Sequence, residues 1–301
     1  MDSTVSTALK LKLYEKIRCP ECKSENSLKY IHTNKITCTL CNIGFSIIDG
    51  VPVLLSNLSK KLLNPQLNSQ LGRQMAKEYS GKNTLLKRIK GVFKIPDLIF
   101  DVVERKRLHS IFTHKENPKY IILNIGGGPR REDSNVFNLN IDLFPNVEVV
   151  GDAHNLPFKS NSMDGIMIAA VLEHVQDPNK VVGEIYRVLK KGGYIYSETP
   201  FLQHFHGYPN HFQNFTLIGH DYLFRMFKKI ESGSTNGPIS TVLILILNLI
   251  EDTMDNKYFR KITMFVFALI LYPLKYLDIF TKNKKNAFKL ANGVYYLGQK
   301  L

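Results

Sequence analysis

The sequence predicts an α/β fold: an open, mostly parallel sheet, with a small cysteine-stapled module before it and a hydrophobic helical insertion ahead of its last strand. Three observations carry that prediction. From Tyr120 onward, short apolar runs alternate with glycine turns and an amphipathic helix pattern, the order of strands and crossovers in an α/β sheet. All four cysteines fall between Cys19 and Cys41, in two C-x2-C pairs. Two nearly all-apolar stretches, 239–250 and 262–280, stand among basic residues near the end.

Residues 1–56 read as the small module. Cys19 and Cys22 form one pair, Cys38 and Cys41 the other, each on a tight knuckle, so that four thiolates can meet around one zinc ion. Two disulfides are the other way to use the same spacing. Residues 1–18 hold charges and no continuous apolar core, so no signal peptide is expected. A cytoplasmic location and reduced thiols follow, which favours zinc. Four thiolates close the metal shell, so the zinc is expected to be structural, and His32 is not needed. GFSIIDGVPVLL (44–55) alternates and then runs apolar, as a final hairpin strand would.

Residues 57–118 are expected to be a helical connector. Leu85, Leu86 and Ile89, then Leu98, Ile99, Val102 and Val103, recur at helical spacing. ERKRLH (104–109) is basic, either a solvated face or a phosphate contact.

The main domain spans 119–301. YIILNI is the first strand, and Gly126, Gly127 and Gly128 follow it, where missing Cβ atoms let backbone amides approach a ligand. The same turn alone could be a tight loop. Asp142 ends the second apolar run, where a carboxylate can accept both hydroxyls of a ribose. Asp152 and Ala153 end the third, beside a nucleoside base. Only about 13 residues separate Gly128 from Asp142, barely enough for a crossover, so the first helix is expected to be stunted. GIMIAAV reads as a central strand, PNKVVGEIYRVLKKGG as a helix ending at its glycines, YIYSE (194–198) as the fifth strand and ANGVYYLGQK (291–300) as the last, antiparallel one.

TPFLQHFHGYPNHFQNFT (199–216) interleaves His204, His206 and His211 with Phe201, Phe205, Tyr208, Phe212 and Phe215. Histidines there suit proton transfer, and His206 is the first choice of general base, ahead of His211 and His204. No acid lies beside them in sequence, which argues against a metal. His174 either lines the pocket or acts as a base.

The apolar runs at 239–250 and 262–280 are each about a dozen uninterrupted residues, short of the roughly 20 an ordinary span needs. Three readings stay open for the 239–290 insertion: burial against the sheet or a dimer mate, a pair of helices in a membrane interface, or a spanning hairpin. Lys257, Arg260, Lys261, Lys275 and the KNKK run at 282–285 flank it, as lipid headgroups favour. The net charge of +14 points either to an anionic partner or to solvating lysines.

The segment Leu123–Gly128, Asn140-Ile141-Asp142, Gly151–Phe158, Ser162-Met163-Asp164, Leu172–Val175 and Val188–Gly193 resembles the core of class I S-adenosylmethionine (SAM)-dependent methyltransferases of the ubiquinone/menaquinone-methylase, or type 11, family. The resemblance implies a Rossmann-like sheet of seven strands in the order 3-2-1-4-5-7-6. It implies SAM with its methionine part over Gly126 to Gly128, its ribose at Asp142 and its adenine at Asp152 and Ala153. The N-terminal module resembles the zinc ribbons of small methyltransferase-activator proteins. Residues 209–219 resemble the pattern P-(E/D)-D-(Y/F)-W-R-(F/Y)-T-x-x-G of methyltransferases from bacterial surface-polysaccharide clusters, matching at Pro209, Phe212, Phe215, Thr216 and Gly219 and departing at His211 and Asn214.

The function these features predict is methyl transfer from SAM to a hydroxyl or amine of a small-molecule, sugar or lipid-linked acceptor, at the inner face of a membrane. A tRNA or rRNA methyltransferase is the second reading, suggested by charge and ribbon. A SAM-binding scaffold or activator subunit without turnover is the third.

Overall fold

The computed structural model describes residues 7–32, 34–62, 97–103, 108, 110–112, 120–129, 131, 133–206 and 210–301. The connector helices expected over Leu85, Leu86 and Ile89, the basic stretch 104–107 and positions Tyr208 and Pro209 lie outside the described residues.

The N-terminal part contains α1 (Thr7–Tyr14), β1 (Leu28–His32), β2 (Lys35–Cys38), β3 (Gly44–Ile48), β4 (Val51–Leu54) and α2 (Asn57–Leu62). The four strands pair antiparallel in sequence order. Asp49 and Gly50 join β3 to β4, both with positive φ, the geometry that a two-residue Asp-Gly hairpin turn requires.

The main domain adds β5 (Ile122–Ile125), β6 (Val136–Asn140), β7 (Val147–Gly151), β8 (Met163–Ala169), α3 (Pro178–Val188), β9 (Leu189–Pro200), α4 (Leu217–Leu223) and β10 (Lys228–Ser234). The insertion holds α5 (Pro238–Thr253), α6 (Lys257–Leu271), a 3-10 segment (Tyr272–Leu277), α7 (Asp278–Thr281) and a last 3-10 turn (Ala287–Leu290), before β11 (Gly293–Gln299).

Among the described residues the sheet has eleven strands, β1-β2-β3-β4-β7-β6-β5-β8-β9-β11-β10, which corrects the expected seven. From β7 onward the parallel strands are β7, β6, β5, β8 and β9, and β11 runs antiparallel between β9 and β10. The extra four come from the cysteine module. β4 pairs in parallel with β7, Val53 opposite Val150 and Leu54 opposite Gly151. Without it β7 would leave a row of backbone donors and acceptors unpaired. The module and the sheet also share one apolar core, in which Leu13, Ile36, Phe45 and Leu54 join Leu139, Leu156, Phe158 and Ile185. Arg18 fixes the joint: it is buried, donating to Glu184 at 2.9 Å and to the Leu156 carbonyl at 3.2 Å.

Three local expectations are corrected. Leu98, Ile99, Val102 and Val103 do not form the expected helix: residues 97–103 are non-helical, and Asp101 instead bridges to Asn236, just before the insertion. The helix over 178–193 ends at Val188, because Leu189 is already extended and opens β9, with Gly192 at φ 78° inside the strand pair. Its start is as read: Asp177 accepts from the Lys180 N–H at 3.1 Å, Pro178 opens the first turn, and Val181, Val182, Ile185 and Val188 form the buried stripe. Between β5 and β6 the expected stunted helix is not present among the described residues. Polar groups brace the crossover instead. Arg131 pairs with buried Glu148, whose other oxygen accepts from the Asn138 N–H at 2.8 Å, and Asn146 donates to the Pro129 carbonyl at 3.0 Å.

The insertion is helical, as expected, and hangs on one buried carboxylate. Asp278 accepts from the Ile239 N–H at 3.0 Å and from the Ser240 N–H and hydroxyl at 2.8 Å, capping α5. A Cβ on Gly237 would stand 2.0 Å from the Asp278 Cγ, so only glycine admits this cap. Leu98, Leu243, Leu247 and Ala268 form a small core beneath the hairpin. The other faces of α5, α6 and α7 are exposed, with Leu249, Ile262, Leu269, Ile270 and Phe280 each more than half accessible. Lys257–Thr281 is long and apolar enough, by length and composition, to cross a membrane, and 11% of its most apolar window is buried.

Candidate active site

Gly126 to Gly128, Asp142, and Asp152 with Ala153 stand at the carboxyl ends of β5, β6 and β7, three adjacent parallel strands. That edge is where ligands bind in open α/β sheets. The glycine turn is set by packing as well as conformation. Gly126 has φ 74° and donates to the Leu139 carbonyl at 2.8 Å, and a Cβ on it would meet Val171 at 2.2 Å. A Cβ on Gly127 would strike the Asn138 amide oxygen at 2.3 Å. Gly128 has φ 59° and faces open space.

Asp142 is half-buried, with Oδ1 accepting from the Leu143 N–H at 2.8 Å. Asp152 binds the protein through both oxygens. Oδ1 accepts from the His154 N–H and ring Nδ1, both at 2.9 Å, and Oδ2 from the Ser59 hydroxyl at 2.7 Å. Burial would raise this carboxyl, but the His154 and Ser59 hydrogen bonds outweigh it and hold the group below its usual range. Ser59 belongs to α2, so the N-terminal part reaches the third strand's end directly. Ala153 is buried at the start of a 3-10 turn.

On the far side of β5 the chain builds a cavity of about 260 Å³, lined among others by Ala170, Glu173, Glu198, Thr199, Gln203 and His206. It adjoins the glycine turn through Val171. Its opposite wall includes Ile99, Asp101 and Asn236, next to the insertion. The three histidines of the loop converge with His174: ring centroids lie 4.5 Å apart for His206 and His211, 5.2 Å for His174 and His206, and 6.5 Å for His204 and His206. His206 lines the cavity; His204 and His211 stand behind it.

At the centre is Glu173, fully buried, which the sequence reading passed over as a site residue. Its backbone carbonyl accepts from the Phe212 N–H at 2.8 Å, and Gln213 clamps the same turn by donating to the Leu172 and Val175 carbonyls. Burial pushes the Glu173 carboxyl above its usual range, against the pull of His206 and His211. Burial also pulls the His174 imidazole below its ordinary value. The only signal in the sequence was position: an acid one residue from His174, just past the central strand.

Within the histidine loop His211 Nε2 lies 2.6 Å from the Asn214 Oδ1. Thr216 caps α4 by accepting from the Gly219 N–H at 3.0 Å.

In the cysteine module the sulfurs of Cys19 and Cys41 lie 3.7 Å apart and those of Cys22 and Cys38 3.6 Å, and all four cysteines are free thiols. A disulfide needs about 2.05 Å. Four sulfurs held about 2.3 Å from one zinc sit about 3.8 Å apart. All four lie within 4.8 Å of one another.

Residues 133–197 match a family described as a methyltransferase domain. That segment runs from just before β6 into β9, so it includes Asp142, Asp152, Ala153 and Glu173 and excludes the glycine turn and the histidine loop. The chain is similar to a demethylmenaquinone methyltransferase of Renibacterium salmoninarum, 32% identical over 96 residues, 32% of this chain and 38% of that one. It is similar to a ubiquinone/menaquinone biosynthesis C-methyltransferase of Campylobacter jejuni, 40% identical over 73 residues, 24% and 30% of the two chains. It thus spans well under half the length of these relatives. Among solved structures it resembles a Haemonchus contortus phosphoethanolamine N-methyltransferase bound to SAM (18% identity, TM-score 0.37, covering 66% of this chain and 53% of that one). It also resembles a Haloferax volcanii complex of the Trm112 methyltransferase activator with a putative methyltransferase (12%, TM-score 0.37, covering 60% and 82%).

Proposed function

We propose that this chain is a SAM-dependent methyltransferase whose acceptor, a hydroxyl or amine on a small-molecule, sugar or lipid-linked glycan, is drawn from an anionic membrane surface. The observation that carries the reading is the row of turns at the ends of β5, β6 and β7, within and beside the methyltransferase segment, next to a cavity with titratable walls.

Gly126 to Gly128 hold the methionine part of SAM through backbone groups, Asp142 takes the ribose hydroxyls, and Asp152 with Ala153 forms the floor under the adenine. The open space over Gly128 and the half-buried Asp142 carboxylate fit such a molecule. Bound there, SAM supplies an electrophilic methyl group. Displacement from sulfur is in line, so the protein's task is to align the acceptor and deal with its proton. His206, with His211 and His204 behind it, is assigned to acceptor activation. Cys19, Cys22, Cys38 and Cys41 hold a structural zinc, which fixes β1–β4 and through β4 the edge of β7.

The membrane part rests on the insertion. Its exposed apolar faces are bordered by Lys257, Arg260, Lys261 and Lys282–Lys285, a pattern suited to lying in an anionic bilayer interface. The same insertion is tied to the cavity wall. Phe100, between the lining residues Ile99 and Asp101, donates to the Ser240 hydroxyl of α5 at 2.9 Å, and Lys275 donates to the Asp97 carbonyl at 2.8 Å. On this reading the protein is cytoplasmic and peripheral at the inner membrane face.

The test is transfer of tritiated methyl from SAM into lipid, glycan and RNA fractions. Label in lipid or glycan is expected. Label in RNA would replace this reading with the nucleic-acid one, and SAM uptake with no label anywhere would leave a non-catalytic binder. A dimer that hides α5 and α6, seen by sedimentation, would remove the membrane part.

A further inference from the structure

The geometry points to a second metal site, in which Glu173, His174 and His206 hold a first-row divalent ion, zinc by the chemistry of the ligands, at the floor of the acceptor cavity. The Glu173 side chain is fully buried, and its Oε1 makes no hydrogen bond among the described residues. A carboxylate buried in that way is costly unless something cationic meets it. The groups facing Oε1 are two imidazole nitrogens, Nε2 of His206 at 3.8 Å and Nε2 of His174 at 3.9 Å. Those separations are too long for hydrogen bonds. They suit two ligands of one ion, since donors about 2.1 Å from a tetrahedral metal lie about 3.4 Å apart. All three donor atoms fall within 4.8 Å of one another.

The orientation of the rings is the second argument. His174 Nδ1 lies 2.6 Å from the Asn210 carbonyl, and His206 Nδ1 lies 3.2 Å from the His204 carbonyl. A carbonyl only accepts, so each Nδ1 carries the proton and each Nε2 turns a lone pair toward Glu173. Two lone pairs and a carboxylate oxygen aimed at one point repel each other unless a cation, a proton or a metal ion, sits among them, and three converging donors are what a metal ion uses. Outer hydrogen bonds to carbonyls that fix the tautomer are how metal-binding histidines are generally held. The absence of an acid beside the histidines in sequence had argued against a metal; the fold supplies that acid from the end of β8.

The inference rests on the methyltransferase reading and deepens it. Glu173 and His206 both line the cavity, so the ion's remaining positions face the acceptor. A coordinated hydroxyl is more acidic. Its proton passes to water, its oxygen takes the methyl, and the departing sulfur keeps the electron pair of the broken bond. His206 then activates the acceptor through the ion.

Metal analysis of the full chain, dialysed against zinc and then against zinc-free buffer, tests this. Two zinc ions per chain are expected, one held by the cysteines, falling to one in E173Q and in His206→Ala. Retention of the cysteine-held zinc in each variant reports that it has folded. In the wild-type chain, a second equivalent of cobalt(II) should add ligand-field absorption without the thiolate charge-transfer bands of the first. One metal per chain in the wild type, or a second that survives both substitutions, overturns the site. SAM binding is measured calorimetrically on the same samples. SAM uptake with a single metal sinks the metal site alone; two metals without SAM uptake keep the metal site and sink the methyltransferase reading.

Discussion

The two sides of the cleft are built differently. On the β5–β7 side, each proposed cofactor group sits at the end of one strand: Gly126 against Val171 and Leu139, Asp142 on the Leu143 N–H, Asp152 on His154 and on Ser59 of α2. On the other side no single row of strand ends gathers the groups. The wall is assembled from the ends of β8 and β9, the histidine loop, residues 99–101 and the base of the insertion. A common ligand can be met by backbone turns that short sequence stretches encode. A particular acceptor is met by side chains gathered from distant parts of the chain, and those parts are free to differ from one protein to the next.

If the two sides are separable, damage to one should leave the other working. The largest effect is expected on the insertion. Ile262→Asp with Ile270→Asp withdraws two exposed apolar side chains from lipid, at about 1.5–3 kcal/mol each, so binding to anionic phosphatidylglycerol vesicles should weaken about a hundredfold or more. SAM affinity should not change. Vesicle flotation and calorimetry measure the two, and a variant that floats as well as the parent would remove the bilayer from the account of these helices.

The reverse experiment is Asp142→Ala. Losing both ribose hydrogen bonds should lower SAM affinity by more than tenfold, because a charged acceptor in a half-buried site contributes roughly 1.5–3 kcal/mol. Vesicle binding should stay as it was. An unchanged dissociation constant would mean that the ribose is held elsewhere, and that the edge of β5–β7 has been misread.

The same division explains what the sequence disclosed. The C-x2-C pairs, the glycine turn, the β8 strand and the start of α3 are each legible in one short stretch of sequence, even though Gly126 packs against Val171 and β8 pairs with β5 and β9. The end of α3 was misplaced because glycines at 192 and 193 suggested a stop, whereas pairing with β8 draws Leu189 into a strand first. The union of β4 with β7 was invisible, since nothing near Val53 names Val150 as its partner. Glu173 was overlooked for the same reason. Its neighbours in space, His206 and His211, come from a loop beyond the next strand.

The smallest expected effect concerns a buried histidine packed against the far strands of the sheet. His220 in α4 is fully buried, meets the rings of Phe224 and Tyr296 edge-on, and lies 2.9 Å from the Ser197 hydroxyl of β9. Burial drives its pKa down to about 3, against a weak opposing pull from Asp221. The unfolded chain, with a histidine near 6.5, therefore binds a proton that the folded chain refuses between those two values. The stability this histidine confers as a neutral group is complete above about pH 6.5 and is lost progressively as the pH falls toward 3. Urea unfolding across that range should show the slope, and His220→Gln, which keeps a polar group but cannot take up the proton, should flatten it. Because Ser197 belongs to β9, beside the acceptor cavity, and α4 follows the histidine loop, the acceptor side is expected to loosen first on acidification, with SAM affinity declining later. If cofactor binding and acceptor-side protection from hydrogen exchange fade together, the two sides unfold as one unit and the contrast between them is one of ligand contacts only.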